Sequence, residues 1–192
     1  MKIGVLASQG AFAEHISVLH RLEVEAVPVR LPQELKGLDG LIIPGGESTS
    51  ISKLMLDYNL MGEIRDLAQG GFPLFGTCAG MILMAKKVSD NNSESLRVMD
   101  ITVTRNAFGR QRESFEAELL IPALGEEPFH GVFIRAPLIE QANSKVEVLA
   151  RLTNGTGVAA RQDKLLVSAF HPELTDDMRF HRYFLDIMAG KQ

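Results

Sequence analysis

The sequence predicts an α/β fold: a doubly wound mixed sheet, mostly parallel, with flanking helices. Three observations carry that expectation. Short apolar runs alternate with helical periodicity through residues 1–90, the pattern of strands joined by crossover helices. The run "DGLIIPGG" (39–46) is apolar on successive residues, as a central parallel strand covered on both faces must be. Beyond Asp90 the chain becomes β-rich without a linker or low-complexity tract, so residues 1–192 are expected to form one domain.

"KIGVLA" (2–7) ends in Ser-Gln-Gly and reads as a buried strand followed by a loop. From Ala11 to Glu23, Phe12, Ile16, Leu19 and Leu22 recur at helical spacing. "VEAVPVR" (24–30), "DGLIIPGG" and "FPLFG" (72–76) read as further strands, and residues 47–70 as helix with a break near Asn59. "MILMAKKV" (81–88) reads as the body of the next helix, and "SDNNSES" (89–95) as a polar loop. Segments 98–104, 112–121, 130–135, 146–152, 157–161 and 165–170 are β-rich, the last two forming a hairpin that turns near Asp163 and Lys164. Thr175 is placed to cap a final helix that has Asp176 and Asp177 in its first turn and ends at Gly190. Its buried face is expected to carry Phe180, Phe184, Ile187 and Met188.

Composition narrows the function. A formal charge of −4, from 20 basic and 24 acidic residues without like-charge blocks, argues against a nucleic-acid or anionic-membrane partner. One cysteine excludes an internal disulfide framework and a cysteine-cluster metal site, and fits a reducing compartment. The first apolar run is too short for a signal-peptide core, and Phe72 to Ala85 is interrupted by Pro, Gly, Thr and Cys. A soluble cytoplasmic protein is expected.

Three places can carry chemistry. Cys78 lies in Gly76-Thr77-Cys78-Ala79-Gly80, a G-x-C-x-G between strand and helix. A nucleophile on a sharp strand-to-helix turn needs small neighbours, and a helix N-terminus favours thiolate. Alone, the pentapeptide fits an inert buried thiol equally well. His171-Pro172-Glu173 follows the apolar "LLVSAF"; Pro172 keeps His171 extended, and residues i and i+2 of an extended chain project to one side. The carboxylate can then orient the imidazole, although such a tripeptide is commonly just a strand-end turn. "PGGEST" (44–49) places two glycines between a strand and a helix capped at Glu47-Ser48-Thr49, so backbone N–H groups can face a cleft. It lacks both G-x-G-x-x-G and G-K-[ST], which argues against dinucleotide and P-loop readings. Gly46 and the N–H of Ala79 are the candidate oxyanion donors. Arg105 and Arg135 each end a β segment, where they can face the cleft and hold a carboxylate or stay solvated. His15, His20, His130 and His181 show no metal-ligand spacing, with His20 and His181 expected on helix faces.

The segments "LASQGAFAEH", "IIPGGESTSISKL", "FGTCAGMILMA", "TRNAFGRQRESFEAEL", "GVFIRAPLI" and "AFHPE" together resemble one family. It is that of the glutaminase subunits of pyridoxal 5′-phosphate synthase, a group of class I triad-type glutamine amidotransferases with a flavodoxin-like sheet. The resemblance runs from the N-terminus to the last helix. "PGGESTSISKL" and "RNAFGRQ" are its most specific parts, while Ile82 stands where many other class I members have Gln. It implies hydrolysis of L-glutamine to glutamate, with ammonia passed to a separate (β/α)₈-barrel synthase subunit that makes pyridoxal 5′-phosphate. Cys78 is then the nucleophile, His171 the general base and acid, and Glu173 the orienting carboxylate. Gly46, Glu47, Ser48, Arg105, Ile134 and Arg135 would contact L-glutamine, with no metal and no cofactor. A stand-alone γ-glutamyl hydrolase and a redox-sensing protein of the DJ-1 type are the alternatives, the latter having no use for His-Pro-Glu.

Overall fold

The computed structural model of the chain describes residues 1–89, 94–105 and 114–191. Its first half alternates as expected: β1 (Lys2–Leu6), α1 (Phe12–Arg21), β2 (Glu25–Val29), β3 (Gly40–Ile43), α2 (Ser48–Asp57), α3 (Leu60–Gln69), β4 (Leu74–Thr77) and α4 (Ala79–Met84). The strands β5 (Ala85–Val88), β6 (Met99–Thr104), β7 (Ser114–Leu119), β8 (Phe129–Ile134), β9 (Leu138–Ala142), β10 (Glu147–Arg151), β11 (Gly157–Gln162) and β12 (Leu165–Ser168) follow, and α5 (Arg179–Met188) ends the fold.

Among the described residues the main sheet runs β2-β1-β3-β4-β12-β11-β9-β6-β5, with β10 added to β11. Strands β2, β1, β3, β4 and β12 are mutually parallel, whereas β11 runs antiparallel to both β12 and β9. The mixed, doubly wound sheet predicted from the sequence is therefore the observed one. The order reverses at β1, which has β2 on one side and β3 on the other. Open α/β sheets bind ligands outside the carboxyl ends of strands beside such a reversal. Register sets those ends level: Ile43 pairs with Gly76, and Thr77 with Ser168. The Gly-Gly loop, the cysteine turn and the His-Pro-Glu segment thus leave the sheet along one edge.

The strands β1, β3, β4 and β12 are buried almost throughout, which their continuous Val, Ile and Leu runs anticipate. Phe75 at the sheet centre packs its ring 5.6 Å from that of Phe180 and 5.5 Å from that of Phe184, fastening α5 to the sheet. Phe180, Phe184 and Ile187 are buried as expected, Met188 is half-buried, and Tyr183 and His181 join the buried face. Buried apolar residues from both halves of the chain form one cluster.

Several local expectations hold. Asn59 breaks the helical stretch in the left-handed conformation (φ 58°), and Asp163 (φ 52°) turns the β11–β12 hairpin. Gly190 ends α5 at φ 67°. Others are corrected. "MILMAKKV" is not one helix: α4 stops at Met84 because Ala85, Lys87 and Val88 pair with β6. Strand β9 was not anticipated. Thr175 does not cap the last helix; its hydroxyl donates back to the Pro172 carbonyl, and α5 begins only at Arg179. There the Asp177 carboxylate accepts from the Arg179 backbone N–H, while the guanidinium donates to the Glu127 and Pro128 carbonyls. Residues 90–93 of the polar loop, and 106–113 with most of "RNAFGRQ", lie outside the described residues.

Candidate active site

Cys78 joins β4 to α4 at φ 49° and ψ −101°, a conformation that non-glycine residues rarely adopt. Such strain costs on the order of 1–3 kcal/mol and persists only where the surroundings enforce it. Here the Cys78 N–H donates to the Ser168 carbonyl at 2.8 Å, clamping the turn to β12. The small neighbours are required by contact. A Cβ on Gly76 would lie 2.6 Å from the Gly80 carbonyl carbon, and one on Gly80 only 2.0 Å from the Ile43 oxygen. The thiol is nearly buried and reaches the Ile134 carbonyl at 3.8 Å. Ala79 occupies the first helical position, where the N–H has no intrahelical acceptor. Because α4 is only six residues long, its dipole is a modest source of positive potential for the thiol.

His171 stands beside the thiol and is hydrogen-bonded to it. Its backbone N–H donates to the Val132 carbonyl at 2.8 Å, tying it to β8, and its Nδ1 lies 2.7 Å from Glu173 Oε1. The expected pairing is present, but it is made differently from the extended i, i+2 geometry. His171 is the residue before a short 3₁₀ turn, Pro172–Leu174, and the turn carries the carboxylate back under the ring. Burial alone would lower the pKa of His171; hydrogen bonds to Cys78 and Glu173, and the charges of both, raise it to about 10. The ring is then an imidazolium at neutral pH. Glu173 is itself buried, which would raise its pKa, yet the adjacent His15 ring and the bond to His171 hold it below the usual carboxylate range.

The Gly-Gly loop closes the third side. Gly45 has room for no side chain, since a Cβ there would sit 2.4 Å from His171 Cε1. Gly46 has φ 156°, and the Gly45 carbonyl accepts from the Ala11 N–H at 3.3 Å. Glu47 caps α2, accepting from the N–H groups of Thr49 and Ser50 at 3.0 and 2.7 Å. The Ser50 hydroxyl, followed by those backbone donors, pulls its pKa down to about 2. Arg105 approaches the same carboxylate at 3.5 Å. Ser48 Oγ is buried with no hydrogen-bond partner among the described residues.

A cavity of about 180 Å³ lies between these segments. Gly46, Glu47, Ser48, Cys78, Ile82, Arg105, Ile134, Arg135 and His171 line it, so eight of the residues singled out from the sequence share one wall system. Glu173 stands behind His171 rather than in the cavity. Arg135 is held at φ 44°, where the chain leaves β8. The arrangement provides a thiol, a charged imidazole with its carboxylate, backbone donors and two guanidinium groups within a space suited to a small amino acid. Among the described residues no cluster of His, Cys, Asp and Glu has the makings of a metal site.

Sequence reasoning missed His15. It is fully buried, with Nε2 3.2 Å from Thr77 Oγ1 and 3.3 Å from Glu173 Oε2, and Nδ1 2.9 Å from His181 Nε2. The available signal was its place between Phe12 and Leu19 on the apolar side of α1, where an ionisable residue needs a partner.

A model of the SNO glutamine amidotransferase family matches residues 5–189. The chain is 58% identical over 193 aligned residues to a pyridoxal 5′-phosphate synthase subunit PdxT of Pelotomaculum thermopropionicum, covering 100% of this chain and 98% of the relative. It is 56% identical to the protein of that name from Carboxydothermus hydrogenoformans, with 97% of each covered. A crystal structure of a glutamine amidotransferase superposes with a TM-score of 0.93 at 50% identity, covering 97% of this chain and 98% of that one.

Proposed function

The chain belongs to the SNO glutamine amidotransferase family, and from that premise we propose that it is the glutaminase subunit of a pyridoxal 5′-phosphate synthase. It hydrolyses L-glutamine through Cys78, His171 and Glu173 and passes the ammonia to a separate (β/α)₈-barrel synthase subunit within a hetero-oligomer. The observation that carries this reading is the convergence on one small cavity of the strained Cys78 turn, the His171–Glu173 pair and the Gly45-Gly46 loop.

His171 rests as an imidazolium, since it keeps its proton to about pH 10, and the reaction runs through the Cys78 thiolate. The thiolate attacks the carboxamide carbon of glutamine, and the carbonyl oxygen becomes an oxyanion facing the N–H groups of Gly46 and Ala79. Collapse breaks the C–N bond as His171 gives its proton to the leaving nitrogen, releasing ammonia and leaving a γ-glutamyl thioester. The now neutral imidazole takes a proton from water, whose oxygen attacks the thioester carbon. Glutamate leaves, and the thiolate and imidazolium are restored. Glu173 holds Nδ1 so that Nε2 faces the thiol throughout.

Arg105 and Arg135 serve the α-carboxylate, and Glu47, ionised above about pH 2, faces the α-ammonium. The enclosed volume suits a single amino acid better than the longer substrates of a γ-glutamyl hydrolase. Glutamine turnover by the chain with its synthase partner tests the reading. Cys78→Ala should abolish it with glutamine binding retained, His171→Ala should be nearly as damaging, and Glu173→Ala less so. Wild-type turnover by Cys78→Ala would overturn the assignment.

A further inference from the structure

We propose that His15 is a positioning residue for this site: its Nε2–H holds the far oxygen of Glu173, and His181 holds His15. The inference rests on the reading of Glu173 as the group that orients His171. Glu173 Oε1 is bonded to His171, but Oε2 is buried and has no well-directed hydrogen-bond partner among the described residues. What it has is His15 Nε2 at 3.3 Å, which also faces Thr77 Oγ1 at 3.2 Å. One N–H shared between two such oxygens is an ordinary three-centre arrangement.

The proton positions follow from the chain of contacts. Both histidines are fully buried, and desolvation keeps them neutral, so each ring carries one N–H. If the His15 proton sat on Nδ1, Nε2 would aim a lone pair at the Glu173 carboxylate. His181 would then accept at Nε2, and its own proton would lie on Nδ1, which has no partner among the described residues. An N–H buried without an acceptor is the costlier orphan. The opposite tautomers avoid both faults. His181 Nε2–H donates to His15 Nδ1, His15 Nε2–H faces Thr77 and Glu173, and only an acceptor lone pair is left bare on His181. The charged or titratable groups facing this chain are Glu173 and His171 at the site, Glu14 on the same helix as His15, and the two histidines themselves.

The line of polar contacts therefore runs from α5 through α1 to the 3₁₀ turn and ends at the nucleophile: His181, His15, Glu173, His171, Cys78. Helices α1 and α5, which touch no part of the cavity, set the carboxylate's angle. Removing His15 leaves Oε2 unpartnered in a buried place, so Glu173 either turns toward another donor or takes a proton, and His171 loses its fixed ring plane.

The test uses the full chain assembled with its synthase partner. His15→Leu should lower kcat for glutamine on the order of tenfold or more, the worth of a hydrogen bond with one charged partner, with KM changed by no more than about twofold. The acid limb of the pH profile should move to higher pH, because Glu173 loses a group that favours its charged form. His15→Gln, whose amide nitrogen occupies nearly the Nε2 position, should recover most of kcat and the original limb. Equal losses in Leu and Gln variants with an unmoved pH profile would overturn the proposal, as would full activity in His15→Leu. If His15→Leu does not fold, ¹⁵N NMR of the wild-type chain decides: both His15 and His181 should be neutral with the proton on Nε2, and a His15 protonated at Nδ1 refutes the arrangement. These tautomers are independent of turnover, so a wild-type complex inert toward glutamine would refute the proposed function separately.

Discussion

Gly45→Ala is the smallest change that should disable this site. Gly45 is not among the residues at positive φ, so alanine meets no backbone penalty there. The new methyl carbon would instead lie 2.4 Å from His171 Cε1, 3.1 Å from its Nδ1 and 3.4 Å from Cys78 Cβ. Carbon atoms in contact rest ~3.5–4.0 Å apart, so the imidazole must retreat by about 1 Å. It cannot do so freely, being tethered by its backbone N–H to Val132 at 2.8 Å and by Nδ1 to Glu173 at 2.7 Å. A misplacement of ~1 Å in a catalytic group costs on the order of 10²-fold in rate. The expected outcome is a kcat about a hundredfold lower with the synthase present, and a melting temperature reduced by a few degrees through overpacking. Gly62→Ala is the matched control. It lies in the first turn of α3, where an added Cβ meets no described atom within 4 Å beyond its own helix turn, and alanine should stabilise the chain by up to about 1 kcal/mol at unchanged turnover. Turnover of Gly45→Ala within about threefold of wild type would refute the contact argument.

Two further outcomes follow from the buried charges and the Gly-Gly loop. His171 is raised to about 10, so its stabilisation is full below the ordinary 6.5 and is lost as pH rises toward 10. His181 is lowered to about 3, so its contribution is present above 6.5 and is lost as pH falls toward 3, with Glu173 adding a loss as pH falls below its ordinary 4.5. Urea midpoints measured across pH should therefore peak near 6.5, and a monotonic rise from pH 4 to 9 would contradict this. The isolated chain should be a poor glutaminase that the synthase activates, because the Gly45–Gly46 peptide can turn at small steric cost and loss of one oxyanion donor costs about 10²–10³ in turnover. Ammonia release with and without the partner checks this, and full activity in the isolated chain would contradict it.

The sheet was legible where periodicity and burial coincide. "GLII", a four-residue apolar run closed by Pro44-Gly45-Gly46, reads as a strand covered on both faces, and the spacing of Phe180, Phe184 and Ile187 turns them to a core. Strand β5 was not legible because an all-buried run such as "MILMA" suits either helix or strand until its pairing with β6 is known. Strand β9 hides because "LIEQA" buries only Ile139. The start of α5 depends on Arg179 reaching carbonyls of a loop distant in sequence, which no local capping rule contains. At the site, G-x-C-x-G and His-Pro-Glu announce themselves because unusual backbone demands unusual residues, while their meeting is set by the level strand ends. His15 was invisible for the opposite reason: its partners Thr77, Glu173 and His181 lie on three other elements.

The central claim is that the lone cysteine is the nucleophile for glutamine, and intact-mass analysis tests it most directly. The chain, assembled with its synthase, is incubated with an electrophile that mimics glutamine, and the adduct is mapped by peptide digestion. The account predicts one adduct per chain, on Cys78, blocked by excess glutamine and strongly slowed in His171→Ala. Glutamine hydrolysis that continues once Cys78 is fully modified, or an adduct on any other residue, would contradict it.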